Sequence, residues 1–128
     1  MTPVQTAALR IEAESVYPAL YQFLACYFHE DWYENVTTPE ERLVGGPEPE
    51  PDVFKRAVHA YAAEAGEQGV KALAELDRVL GSTSSDQELG ELLSRGFSVC
   101  YWPGSTEAYR PWQQEVRTTL AAELARAA

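Results

Sequence analysis

"YPALYQFLACYFHEDW" (Tyr17–Trp32) decides the fold class. Leu20, Phe23, Leu24, Tyr27 and Phe28 recur at spacings of three, one, three and one. That recurrence follows the ~3.6-residue turn of an α-helix with an apolar face. Pro18 suits the first turn, where its missing N–H has no partner to lose. Tyr21, Ala25 and Cys26 widen the apolar face, so the helix is expected to be central and covered on most sides. His29 falls at its end, where an imidazole is favoured by the helix dipole.

The same periodicity extends in both directions. Residues 1–14 read as a short helix or a loose arm ahead of the main domain, 15–128. Downstream, Thr38 is a natural N-cap, Pro39 fits the next position and Glu41 completes a capping box. Gly45-Gly46 are expected to end that turn. "GGPEPEPD" (45–52) follows as a loop held extended by alternate prolines. Asp52 is expected to cap a helix burying Val53, Phe54, Ala57, Val58 and Tyr61, which Gly66 and Gly69 weaken or kink. Val70, Leu73, Leu76, Val79 and Leu80 mark the next helix, ended by Gly81. Ser85 and Glu88 form a second capping box ahead of Leu89, Leu92 and Leu93, with Gly96 in the C-cap position.

"FSVCYW" (97–102) alternates Phe97, Val99 and Tyr101 with Ser98, Cys100 and Trp102, in the manner of a strand. No second strand is evident, so it reads as an extended connector. The last helix begins near Tyr109 and presents Trp112, Val116, Leu120 and Leu124 on its core face. The expected fold is all-α: a compact single-domain bundle of five or six helices with one short extended connector.

With 128 residues, 45% hydrophobic and 11% aromatic, the chain is large and apolar enough to bury a core without metal or disulfide. Twenty acidic residues against ten basic ones give a net charge of -10. Such a field repels nucleic acid and anionic membrane, and it steers basic proteins inward. It also serves solubility alone. No apolar run approaches a membrane span. The N-terminus lacks a basic region followed by an apolar stretch, so no signal peptide is expected. Cytoplasmic localisation is expected, with Cys26 and Cys100 reduced.

Tyr27–Glu41 holds five rings, counting His29, and five carboxylates in fifteen residues. His29, Glu30 and Asp31 are consecutive, and adjacent helical residues diverge by about 100°, so they do not converge on one ion. The chain has no paired Cys, His-Glu-x-x-His or calcium-loop pattern, and no metal site is expected. Cys26 and His29 share a helix face, yet the cysteine has no cationic neighbour to activate it. Phosphate loops, dinucleotide fingerprints and Gly-x-Ser-x-Gly elbows are missing from the sequence. The expectation is a binding protein, not an enzyme, with no cofactor. Between Glu30 and Asp52 there are eight acids and one base, Arg42. Glu30, Asp31, Glu34, Glu40, Glu41, Glu48, Glu50 and Asp52 therefore form a candidate acidic binding surface, with Tyr33 as a ring within it. Trp32 is expected to fold back onto the core.

Tyr27, Phe28, His29, Asp31 and Trp32, followed by the Thr38-Pro39-x-Glu41 helix start, resemble the opening block of the immunity proteins of contact-dependent growth inhibition systems. Tyr109, Arg110, Trp112, Glu115 and Val116 resemble that family's C-terminal Tyr-Arg-x-Trp-x-x-Glu-Val block. The resemblance spans most of Tyr17–Leu120 and is weakest over Gly45–Gly69, where this chain carries its proline-rich loop. It implies a small helical cytosolic protein that binds and neutralises the C-terminal toxin domain of a contact-delivered protein, often a nuclease or another enzyme acting on nucleic acid. Tyr27, Phe28, His29, Trp32 and Trp112 would then be a structural signature, and the acids would meet the toxin's Lys and Arg. The rival readings are an acidic helical adaptor without a secreted toxin partner, and a small enzyme of unrecognised type.

Overall fold

The structure is a computed structural model that describes residues 2–44 and 52–127. Eight α-helical segments follow in order: α1 (Pro3–Val16), α2 (Pro18–Tyr27), α3 (Trp32–Val36), α4 (Pro39–Val44), α5 (Phe54–Ala65), α6 (Glu67–Ser82), α7 (Asp86–Glu91) and α8 (Tyr109–Ala127). α7 continues directly into one π turn, Leu92–Gly96. No strand occurs among the described residues, and the fold is all-α. Six longer rods account for the expected count, with α7 and its π turn as one. The short helix α4 is the one expected after Thr38, and the single-turn helix α3 is additional.

Residues 3–16 are helical from the first turn, because Thr2 and Gln5 exchange capping bonds and Pro3 opens the helix. α1 lies against the π turn, α2 against α6, and α5 and α6 both against α8. α2 is the central rod: Leu20, Phe23, Leu24 and Phe28 are fully buried. Its carboxyl end enters an aromatic cluster. Phe28 meets the Trp112 ring edge-on at 5.1 Å, and Tyr101 stacks on Trp112 at 4.7 Å. Trp32 and Phe54 close on Tyr101 at 5.4 and 5.8 Å. Offset and edge-on pairs of this kind each contribute about 0.5–1.5 kcal/mol beyond area burial.

Several boundaries differ from the sequence reading. Val53, not Asp52, is the N-cap of α5, and no side chain caps it. Asp52 instead faces Lys55 across 3.4 Å. α5 and α6 are separated at Gly66, whose φ of 55° suits a residue without Cβ. Gly69 kinks nothing. It lies inside α6, where a Cβ would fall 2.7 Å from Leu124 Cδ2, so its bareness lets α6 approach α8 closely. Gly81 lies within α6, which ends at Ser82. Ser85 accepts from the Glu88 N–H, but Glu88's carboxylate turns to Ser84, so only half of that capping box forms. Gly45, Gly46 and the proline loop up to Pro51 lie outside the described residues.

Residues 97–102 form the extended connector. The Val99 N–H donates to the Leu93 carbonyl at 3.0 Å, and the Cys100 N–H donates to the Phe28 carbonyl at 2.7 Å. The alternation seen in the sequence sorts its side chains: Phe97 and Val99 are buried and Tyr101 half-buried, while Cys100 and Trp102 are exposed. Arg110 then ties the start of α8 to the α6–α7 junction through the Leu80 and Thr83 carbonyls and the Asp86 carboxylate.

Candidate functional site

The α2–α3 corner is built from backbone bonds around one imidazole. The Asp31 N–H donates to His29 Nδ1 at 3.0 Å, and the Trp32 N–H donates to the His29 carbonyl at 3.0 Å. Asn35 reaches the other ring nitrogen of His29 at 3.3 Å. These bonds turn the chain so that Trp32 points inward, where it is 6% exposed, and Glu30 and Asp31 point outward.

α3 and α4 are joined by a short bonded link. The Thr37 hydroxyl donates to the Tyr33 carbonyl at 2.6 Å. The Thr38–Glu41 capping box is complete, with the Thr38 N–H on Glu41 Oε1 at 3.0 Å and the Glu41 N–H on Thr38 Oγ1 at 3.2 Å. Arg56 of α5 grips Glu41 with both guanidinium ends, at 3.0 and 2.7 Å, and also donates to the Val36 carbonyl. The Arg56 bonds, with help from the Thr38 N–H, pull the Glu41 carboxyl down to about 2. The Glu41–Arg56 pair is thus a clamp from α4 to α5.

Arg42, the only base of the acidic stretch, neutralises none of its acids. Its guanidinium donates to the Thr37 carbonyl at 2.9 Å, the Thr37 hydroxyl at 3.0 Å and the Glu34 carbonyl at 3.4 Å. It occupies the carbonyl end of α3, where a cation satisfies orphan acceptors and the helix dipole. Glu30, Asp31, Glu34 and Glu40 are consequently exposed and without an ion-pair partner among the described residues. Of the remaining candidates, Glu41 and Asp52 are paired, and Glu48 and Glu50 lie outside the described residues. Tyr33 is half-buried, its ring 5.8 Å from Trp32.

The signature residues lie on the inner side of this corner. Phe28, Trp32 and Trp112 are in the core. Tyr27 is half-buried, and its hydroxyl donates to Glu64 at 3.4 Å; burial first and Glu64 second raise its pKa. Cys26 and Cys100 are free, exposed thiols. Burial and the nearby Glu30 charge push the Cys100 thiol up, away from the thiolate a nucleophile needs. Among the described residues no group of three or more His, Cys, Asp or Glu is placed to hold a metal ion. No helix there is long and apolar enough to cross a membrane. An open groove of about 490 Å³ between α5 and α8 is lined by Lys55, Pro111, Gln114, Glu115, Thr118 and Thr119.

Three features escaped the sequence reading. Arg56, outside the acidic stretch, reaches back into it across α5. Gln113 is fully buried on α8, with neither end of its amide hydrogen-bonded to another group of the described residues. Trp102 is 62% exposed on the connector. Its place opposite Val99 and Tyr101 in the alternation was the available signal. Comparison of the chain with protein-family models, curated proteins and solved structures finds no match.

Proposed function

We propose that this chain is an inhibitor of the immunity-protein kind. It binds a basic toxin domain, of a class that acts on nucleic acid, and neutralises it by covering it, without catalysis. One observation carries the reading: Glu30, Asp31, Glu34 and Glu40 are exposed and have no ion-pair partner among the described residues, while Arg42, the lone base of their stretch, serves backbone carbonyls. Nucleic-acid enzymes carry Lys and Arg where phosphates bind, and free carboxylates on a fixed surface offer those cations an alternative partner. The resemblance to immunity proteins supports it from a separate direction; of its matching rings, Phe28, Trp32, Tyr109 and Trp112 lie in the core.

The carboxylates speed encounter, and a desolvated centre sets the lifetime. Protection against a lethal enzyme calls for affinity on the order of nanomolar, ~12 kcal/mol. An interface of roughly 1,600 Å² is ordinary for that task. The reading places its action in the cytoplasm, where a delivered nuclease meets its substrate.

The test is co-expression with the C-terminal domain of a large secreted protein encoded beside this chain, followed by pull-down and stopped-flow association. Binding with loss of the toxin's activity is expected. Neutralising four residues together (Glu30→Gln, Asp31→Asn, Glu34→Gln, Glu40→Gln) is expected to slow association by about 10-fold or more at low salt, with folding intact. Raising salt is expected to erase most of that difference. A complex insensitive to both salt and the four substitutions defeats the acidic-face reading.

A further inference from the structure

We propose that Trp102 is the ring that anchors the basic partner, and that the connector carrying it forms the apolar centre of the interface beside Glu30 and Asp31. This rests on the function proposed above and moves its anchor from Tyr33, half-buried against Trp32, to a different segment. Three observations carry it.

Trp102 is the most exposed Phe, Trp or Tyr of the described residues, at 62%, whereas Trp32 and Trp112 are 6% and 4% exposed. A large ring left in water on a rigid support is the residue type and setting of an interface hot spot.

The support is rigid. Trp102 leans edge-on against Tyr109, which is buried, at 6.2 Å between centroids. The Tyr109 hydroxyl donates to the Tyr101 carbonyl at 2.7 Å, and Tyr101 itself stacks on Trp112. Upstream, Ser98 holds a φ of 58°, a strained value for a residue with a Cβ, and the Val99 and Cys100 N–H bonds fix the chain to the π turn and to the end of α2. Little conformational freedom remains to be lost when a partner covers the ring.

The position is next to the unpaired acids. The Cys100–Phe28 hydrogen bond lays the connector along the residues that lead into Glu30, whose charge is felt at the Cys100 thiol. An exposed indole on a connector that passes Glu30 fits a protein surface with an apolar slot beside Lys or Arg. A nucleic acid would offer stacking bases but would be repelled by the same charge.

The experiment uses the full chain and the adjacent toxin domain named above. Trp102→Ala is expected to weaken Kd by about 30-fold or more, the scale of a hot spot, chiefly through faster dissociation, while its melting temperature stays that of wild type. Oxidation of Trp102 by limiting N-bromosuccinimide, read by peptide mass spectrometry, is expected in the free chain and blocked in the complex. This footprint decides the matter even if the substitution disturbs folding. Unchanged affinity of Trp102→Ala, or a Trp102 still oxidised in the complex, overturns this inference and leaves the proposed function standing. No binding by the wild-type chain overturns both.

Discussion

At the scale of single residues, the Tyr27–Glu41 stretch divides its labour by side. Trp32 is inward, held by bonds from the backbone around His29, and its neighbours Glu30 and Asp31 are outward. Trp32→Ala is expected to cost about 3 kcal/mol or more through the lost burial and the cavity left behind. A melting curve should fall by roughly 10 °C. Phe28, Trp32 and Trp112 were legible as core from type and spacing, because a large ring beside a helical apolar face has few places to go but inward. Gln113 was not legible. An amide one position along from Trp112 reads as solvent-facing, and only the close approach of other helices to α8 buries it. Arg42 was legible as the lone base of its stretch, but its choice of carbonyls over carboxylates depends on where α3 stops.

At the scale of elements, the helices were legible and their ends were less so. The Thr38–Glu41 capping box forms as expected, with the Glu41 carboxylate serving both the Thr38 N–H and Arg56. The second box is half made because the Glu88 carboxylate takes the Ser84 hydroxyl, and Asp52 faces Lys55 in place of capping α5. Gly69 read as a breaker because backbone entropy disfavours glycine in a helix, yet contact with Leu124 outweighs that cost. α4 depends on a partner from another element, since its Glu41 is held by Arg56 of α5. Glu41's carboxyl is lowered from 4.5 to about 2 by that grip. A carboxyl depressed in the folded state stabilises above its unfolded value and ceases to as pH falls through its folded one. Hydrogen-exchange protection of α4 is therefore expected to be full above about pH 4.5 and to decline from there toward pH 2. Arg56→Gln is expected to lower that protection at neutral pH and to reduce the dependence on acid to the part that the Thr38 cap supplies. Protection unchanged in the variant would show that the clamp contributes nothing to α4.

At the scale of the whole molecule, the all-α architecture followed from one period running almost unbroken through the chain. The acidic face did not follow from composition: a net charge of -10 says how many carboxylates there are, not which ones go unpaired. That depends on contacts between distant segments, Arg56 with Glu41 above all. The same distance governs the corner between α2 and the connector. The Phe28 carbonyl receives its hydrogen bond from Cys100, and the Trp112 ring that closes on Phe28 belongs to the last helix. During synthesis α2 leaves the ribosome long before either partner exists. A chain ending at Ala108 is therefore expected to keep helical far-ultraviolet dichroism while losing the near-ultraviolet signal of packed rings. A copy cut short of α8 thus lacks the packed corner that turns Glu30 and Asp31 outward, and whatever those carboxylates are to meet must wait for the last helix to dock.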